Sequence, residues 1–270
     1  MMFRGASADA VAGLSDELTT AIAGSSQTAA SVSDDLFTVA LTLRSEGALR
    51  RFATDASVPA QAKTGLVGEV FGGKVADATL GLLTSAVSRR WTSGSDLANG
   101  LEHLSVVAAV TSAGSDTERL SDELFAFAQA VKGTPELRDA LSDPVRTVEA
   151  KSGLVDALLG GKALPATLTL AKQALAGTHR TVGVALAEYQ KVAAEVHGQG
   201  VATVRVARDL SEADQARLAD LLSRQYGRPV HLNLLVDPAV LGGIRVEIGD
   251  DVIDGTVLNR LDDARRRLVG

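Results

Sequence analysis

The sequence repeats itself once, at a constant offset of 88 residues. Residues 33–86 align without a gap to residues 121–174, and 21 of these 54 pairs are identical. The shared phrases include SDDLF against SDELF and GLVGEVFGGK against GLVDALLGGK. Two copies of this length are too few and too long for a solenoid of short repeats, so the pattern predicts a duplicated domain.

Apolar residues recur at helical spacing within each copy. Leu36, Ala40 and Leu43 fall on one face, and Leu97 and Leu101 begin a similar stripe further along. Aromatic residues make up only 3% of the chain, so its cores must be built mostly from alanine, leucine and valine. Alanine and leucine lose little on entering a helix, which favours a compact bundle of short helices in each copy.

Helix starts are predicted at four positions by their capping residues. Ser33 and Ser121 each precede two acidic residues, which complement the positive end of a helix dipole. Thr134 and Asp143 each precede a proline, which is favoured at the first helical position.

The character of the sequence changes after about His197. VATVRV and HLNLLV are rich in β-branched and leucine residues, and Ile244, Val246 and Ile248 alternate with charged residues as in a half-buried strand. A helix capped by Ser211 is predicted between the first two strands, and a final helix is predicted from about Thr256. The inner stripe predicted for the first of these helices consists of Ala213, Leu218, Leu221 and Leu222.

The predicted fold is therefore mainly α with a small α+β domain. Two tandem helical bundles, at residues 1–100 and 101–198, are followed by a β-α-β-β-α domain at residues 199–270. The acidic run GDDVIDG before the final helix is interpreted as a turn, with Asp254 as the cap of that helix.

Composition excludes several classes of protein. The net charge of −6 lacks the basic footprint of a nucleic-acid binder. Without cysteine the chain has no disulfide framework, thiolate nucleophile or cysteine-ligated zinc. The N-terminus lacks the apolar core of a signal peptide, and no apolar run is long enough to span a membrane. We expect a cytosolic protein that attaches to a membrane only through a partner.

The stretch GEVFGGKV has the glycine spacing of a phosphate-binding loop. Such a loop needs a preceding strand and a hydroxyl residue after the lysine, but Val75 follows Lys74 and the preceding segment has a helical period. The second copy has Asp156 in place of the first glycine. We predict instead that each glycine pair ends a helix in a left-handed turn.

No active site is visible elsewhere in the sequence. The four histidines lack metal-ligand spacing, and no G-x-S-x-G nucleophile elbow is present. Nothing distinguishes a catalytic pair among the 33 carboxylates. We therefore predict no catalytic residue, no cofactor, no metal and no enzymatic activity of the chain by itself.

The stretch from Asn233 to Leu268 closely resembles the end of the ATP synthase delta subunit, the bacterial counterpart of the oligomycin-sensitivity-conferring protein. The region of residues 101–198 is similar to the six-helix N-terminal bundle of that family. The motif positions, each either structural or partner-binding, are Asp237, Pro238, Leu241, Gly242, Gly243, Ile253, Asp254, Gly255, Arg260 and Leu261.

The resemblance implies a stator subunit of the F-type proton-translocating ATP synthase. In that family the helical bundle binds the N-terminal segments of the alpha subunits of the catalytic head, and the resemblance leaves a contact with the beta subunits open. The C-terminal domain binds the b subunit of the peripheral stalk. The expected location is the cytoplasmic face of the bacterial cell membrane, peripheral to it and within the complex.

The chain departs from the usual family member at its front. A member of usual size would begin near residue 100, whereas this chain carries a first copy of the repeat, as long forms from actinobacteria do. The role of this extra copy is left open by the resemblance. The alternative function is a tandem helical-bundle adaptor or scaffold that has no part in ATP synthesis.

Overall fold

The structure, a computed structural model, describes residues 3–238, 240, 242–249 and 251–256. Contacts group the chain into two compact units, Met1–Val192 and Ala193–Gly270. The first unit is helical, and the second contains a four-stranded sheet with a helix. The fold class predicted from the sequence, mainly α with a small α+β domain, is confirmed. The division into three domains stays a prediction.

Helices account for all the regular structure of the described residues before Gly200. In chain order they are α1 (Ala6–Ala21), α2 (Ser26–Ser45), α3 (Gly47–Thr54), α4 (Ala60–Phe71), α5 (Asp77–Ser88), α6 (Gly94–Ser112), α7 (Thr117–Gly133), α8 (Pro135–Ser142), α9 (Val148–Leu159), α10 (Pro165–Ala176) and α11 (Val182–Val196). Within the described part of the chain, every helix is either too short or too polar to span a bilayer.

The helices repeat with the same offset as the sequence. α3, α4 and α5 begin and end 88 residues before α8, α9 and α10. α1 begins 88 residues before α6, and α6 begins 88 residues before α11. The period therefore contains five helices, and α6 is both the sixth helix of the first copy and the first helix of the second.

The central position of α6 explains its burial pattern. Eleven of its nineteen residues are buried, on all sides of the helix, and they include Leu97, Leu101, Leu104 and Ala108. These four residues join the core that α1, α2, α4 and α5 form in the first copy. A helix buried all round belongs to the interior of a protein rather than to one of its faces.

A carboxylate fixes the start of the same helix in each copy. Asp35 accepts hydrogen bonds from the Ala76 amide (2.8 Å) and the Thr79 hydroxyl (2.9 Å) at the start of α5. Glu123, 88 residues later, accepts the equivalent bond from the Thr167 hydroxyl (2.6 Å) at the start of α10. These bonds satisfy amide and hydroxyl groups that helix starts leave without intrahelical partners.

The predicted helix starts at Ser33 and Ser121 are wrong. Ser33 is fully buried inside α2, and Ser121 lies inside α7. α2 begins one residue after Ser25, whose hydroxyl accepts the Thr28 amide (3.1 Å). The acidic pairs that suggested the two caps lie in helix interiors because apolar burial extends α2 by two further turns, through Ala29.

The other two predicted starts have different outcomes. Thr134 is the N-cap of α8 with Pro135 at its first position, as predicted, although its side chain makes no capping hydrogen bond. Asp143 does not begin a helix, because its carboxylate instead accepts the Val145 amide (2.8 Å) in a turn. α9 begins later, after Thr147, whose hydroxyl accepts the Ala150 amide.

The second unit is built on a mixed sheet. Its described elements are β1 (Gly200–Val206), α12 (Glu212–Tyr226), β2 (Val230–Val236), β3 (Ile244–Ile248) and β4 (Asp251–Asp254). The strand order is β2-β1-β3-β4, with β1 and β2 parallel and the other pairs antiparallel. The first three strands and α12 are confirmed, whereas the final helix lies outside the described residues.

β4 corrects the interpretation of GDDVIDG as a turn. Asp251–Asp254 form a strand that pairs with β3, with Val252 opposite Glu247 and Ile253 opposite Val246. The sequence signal was weak because two of the four strand residues are aspartates, which are depleted in strands. Among the described residues, Gly249 lies in the turn between β3 and β4, with a positive φ of 58°.

α12 covers the apolar face of this sheet. Its start is capped as predicted, with the Ser211 hydroxyl accepting the Asp214 amide (3.2 Å), and it ends at the left-handed Gly227. Leu222 and the half-buried Leu218 join the core with Ala202, Val204, Val206, Val230, Val246 and Ile248. The predicted inner stripe is wrong for Ala213 and Leu221, which are exposed.

Candidate interaction sites

The first motif positions lie where β2 ends. The Asp237 amide donates to the carbonyl oxygen of Val206 (2.8 Å), which extends the pairing of β1 with β2 by one bond. The Asp237 carboxylate lies 4.0 Å from the guanidinium of Arg205. Pro238 follows in a turn. The chain therefore leaves the sheet at Asp237 and Pro238.

The paired glycines of the motif meet its later part in space. Gly242 and Gly243 have φ of 82° and 83°, a backbone conformation that residues with a Cβ rarely adopt. A Cβ on Gly243 would also clash with the carbonyl oxygen of Gly255 and lie 2.9 Å from the Cα of Thr256. The Gly255 amide donates to the carbonyl oxygen of Ile244 (2.9 Å). Close backbone approach explains Gly243 and Gly255, and the left-handed backbone explains Gly242.

Asp254 organises the end of β4. Its Oδ1 accepts hydrogen bonds from the hydroxyl (2.6 Å) and amide (3.0 Å) of Thr256. These bonds, with a smaller contribution from Arg245, lower the pKa of the Asp254 carboxyl. The neighbouring Ile253 is 39% exposed. Leu241, Arg260 and Leu261 lie outside the described residues.

The sheet face opposite α12 is charged. Arg205 of β1 and Arg245 of β3 are paired across the two strands, and Nε of each lies within 3.6 Å of Glu247. With Asp237, these side chains form a row of alternating charge. Half-exposed pairs of this kind add little to stability, but they can select a partner of complementary charge.

The glycine pairs of the helical unit are helix ends, as predicted. α4 ends at Phe71 and α9 ends at Leu159. The second glycine of each pair, Gly73 and Gly161, has a φ near 70°. The Lys74 ammonium donates to the carbonyl oxygen of Val70 (2.9 Å) in the last turn of α4. With a helix before it and its lysine bonded to that helix, GEVFGGKV has none of the context of a phosphate-binding loop.

A buried carboxylate between the two copies was not predicted from the sequence. Glu102 of α6, 2% exposed, is bonded to the guanidinium of Arg44 in α2. Its two oxygens also accept the Thr178 amide (3.0 and 3.1 Å), which follows α10. The equivalent residue of the first copy is Leu14, fully buried in its core. That substitution of a charge for a leucine in the repeat was the available signal.

A second polar contact joins the copies beside Glu102. The amide of Gln173 in α10 donates to the hydroxyl of the buried Ser33 in α2 (3.1 Å). Gln173 Oε1 lies 3.4 Å from the hydroxyl of the buried Ser105 in α6. We call Arg44, Glu102, Gln173, Ser33 and Thr178 the seam. The seam ties the two copies together through three helices.

The histidines do not gather into a metal site. His103 packs edge-on against Phe3, and His179 packs edge-on against Tyr189. Burial lowers the pKa of His103. Burial also raises the pKa of Tyr189, and Glu102 raises it further. Across the described residues, no group of three or more His, Cys, Asp or Glu side chains is placed to hold a metal ion.

Comparison with known proteins gives consistent results. A family model described as "ATP synthase delta (OSCP) subunit" matches residues 105–268. The protein named ATP synthase subunit delta in Nocardioides sp. is 59% identical over 242 residues, 89% of this chain and 88% of the relative. The protein of that name in Streptomyces griseus subsp. griseus is 38% identical over 268 residues, 98% of this chain and 99% of the relative. The similarity therefore extends into the first copy of the repeat.

Proposed function

This chain belongs to the ATP synthase delta (OSCP) family, and from that premise we propose that it links the catalytic head of the enzyme to the b subunit. Family membership makes it a non-catalytic subunit of the peripheral stalk. In the proposal, the helical unit binds the N-terminal segments of the alpha subunits, near the beta subunits. The second unit binds the end of the b subunit.

The observation that carries this proposal is the similarity over nearly the whole chain to proteins named ATP synthase subunit delta. The structure is compatible with a holding role, since the helical unit is one contiguous body with a seam rather than two bundles on a linker. A subunit that resists torque needs slow release from its partners, and partner helices bind well in grooves between helices.

Within the motif, we assign different roles to different positions. Gly243 and Gly255 serve the close approach of backbones, Gly242 serves the left-handed turn before them, and Asp254 fixes the following turn. Ile253, 39% exposed on the edge strand β4, is the described motif residue best suited to contact a partner. The same proposal includes the division into three domains, at residues 1–100, 101–198 and 199–270.

The test is reconstitution with purified partners. The full chain should bind both an isolated catalytic head and a soluble b segment. A chain that ends at residue 198, checked for helical content by circular dichroism, should bind the head and lose the b segment. Retention of b binding by the shortened chain would contradict the assignment. So would loss of head binding by a shortened chain whose helices are intact.

A further inference from the structure

The first copy of the repeat contains a cleft that the family comparison does not explain. It lies among the start of α1, the connection of α3 to α4, the end of α5 and the connection of α5 to α6. Its volume is about 640 Å³, within the range of ligand-binding clefts. The residues that line it include Pro59, Lys63, Val87, Arg89, Arg90 and Trp91.

Lys63 of α4 is nearly buried yet has no hydrogen-bond partner. Its side chain is 7% exposed, and no hydrogen bond or ion pair within 4 Å reaches it from the described residues. It also lines a pocket beneath the cleft whose other lining side chains are all apolar. The stem therefore packs among apolar groups, and the ammonium can find an anion only on the cleft side. The ammonium itself keeps access to solvent at the cleft, because Nζ is not one of the buried nitrogen atoms that lack a partner.

The cleft carries more positive than negative charge. Arg90 is exposed, and no hydrogen bond or ion pair reaches it from the described residues. Arg89 already has an ion-pair partner, because its Nη2 lies 2.7 Å from the Glu17 carboxylate. The Asp55 carboxylate is influenced by Lys63, but its pKa is lowered first by hydrogen bonds from Ser57 and only then by the charge of Lys63. Two cations thus remain available in a chain of net charge −6.

One wall of the cleft is apolar and rigid. Trp91 is held by a hydrogen bond from its indole nitrogen to the carbonyl oxygen of Ala86 (2.9 Å). Pro59 and Val87 lie on the same cleft. A fixed aromatic beside free cations suits a ligand that presents an apolar group next to a carboxylate, as a peptide does.

The second copy lacks these groups at the equivalent positions. Residues 88 further along are Gly177, Thr178 and His179 in place of Arg89, Arg90 and Trp91. Thr178, the equivalent of Arg90, already donates its amide to the Glu102 carboxylate of the seam, so an anion of the chain itself is bound at this position. The combination of Arg90 and Trp91 beside the lysine is therefore peculiar to the first copy, although the lysine itself has a counterpart in Lys151.

We propose that this cleft binds an acidic peptide segment of a partner protein. A carboxylate of the segment pairs with Lys63 and Arg90, and an adjacent apolar side chain packs on Trp91. The proposal gives the first copy a binding role of its own. It concerns a different surface from the b-subunit contact, and its test needs no other subunit, so either proposal can fail without the other.

Trp91 is the only tryptophan of the chain and therefore reports on the cleft directly. The probe is a blocked ten-residue peptide with four glutamates and two leucines, added to the full chain while tryptophan fluorescence is recorded. The control peptide carries glutamine in place of each glutamate. We expect saturable binding of the first peptide that weakens with added salt, and at least tenfold weaker binding of the second.

Variants of the full chain locate the site. Lys63→Met keeps the apolar stem, Arg90→Ala changes an exposed side chain, and each should weaken binding at least tenfold. Lys151→Met, the equivalent change in the second copy, should leave binding unchanged; circular dichroism and unfolding curves check that all variants fold. Equal binding of both peptides, wild-type affinity in Arg90→Ala, or inorganic phosphate binding as tightly as the acidic peptide would each overturn the proposal.

Discussion

The buried carboxylate of the seam gives the sharpest prediction. Glu102→Leu places in α6 the residue that the first copy has at Leu14. It also removes the partner of the Arg44 guanidinium and of the Thr178 amide. Removing one member of a buried ion pair costs about 3–5 kcal/mol, since the other charge stays without its partner. The Glu102 side chain is 3% exposed and the Arg44 side chain 24% exposed, so solvent reaches the remaining guanidinium only in part. We expect a loss of about 3–5 kcal/mol in the free energy of unfolding.

The assay is urea unfolding of the full chain, followed by Trp91 fluorescence and by far-ultraviolet circular dichroism. Trp91 reports on the helical unit, because a Cβ on Gly100 of α6 would lie 3.0 Å from its ring. Glu69→Leu, a change of an exposed glutamate in α4, is the matched control and should shift stability by no more than about 0.5 kcal/mol.

A double-mutant cycle tests whether the loss of stability comes from the ion pair, in addition to how large the loss is. Adding Arg44→Met to Glu102→Leu should recover a large part of the loss, because an apolar pair can replace a buried ion pair at little cost. A loss below about 1 kcal/mol for Glu102→Leu alone, or additive losses for the two changes, would refute the reasoning that the seam holds the copies together.

Four further changes test other parts of the helical unit. Glu123→Ala removes the bonds that hold the start of α10 and should cost about 1–3 kcal/mol in urea unfolding. Gly68→Ala, at an exposed site with open space inside α4, should stabilise by about 0.5–1 kcal/mol, whereas Gly73→Ala should destabilise by about 1–2 kcal/mol because of its left-handed φ. Neither change should alter calorimetric titration with ATP, for which we expect no binding. Burial lowers the pKa of His103, so stability should be full above pH 6.5 and fall as the pH drops below it. His103→Gln should flatten that fall in thermal unfolding, and an unchanged slope would contradict the assignment.

The sequence predicted the parts of the fold that leave a periodic signal. The offset of 88 residues, the glycine-terminated helices and the strands with alternating or β-branched residues are all present in the structure. Helix starts were harder to predict, because a serine followed by acidic residues, such as Ser33, gives the same pattern whether it caps a helix or lies inside one. β4 was missed because aspartates conceal its pairing with β3.

The seam could not be predicted from local pattern alone. Glu102 has the appearance of a surface residue in a helix, and only the three-dimensional meeting of α2, α6 and the end of α10 buries it. Leu221 shows the opposite error, since a leucine at helical spacing is expected inside and here is 57% exposed. In both cases packing against other elements determined whether the residue is buried or exposed, and the helical spacing in the sequence did not distinguish the two.

The sharing of α6 has a consequence for how such a chain can lengthen. Since one helix completes the first bundle and begins the next, the period has no linker and no privileged first residue. A tandem gene duplication of 88 codons could therefore have its breakpoints anywhere within the period and still encode the same succession of helices. Growth by this route comes in whole steps of five helices, and each step places another helix in the position of α6.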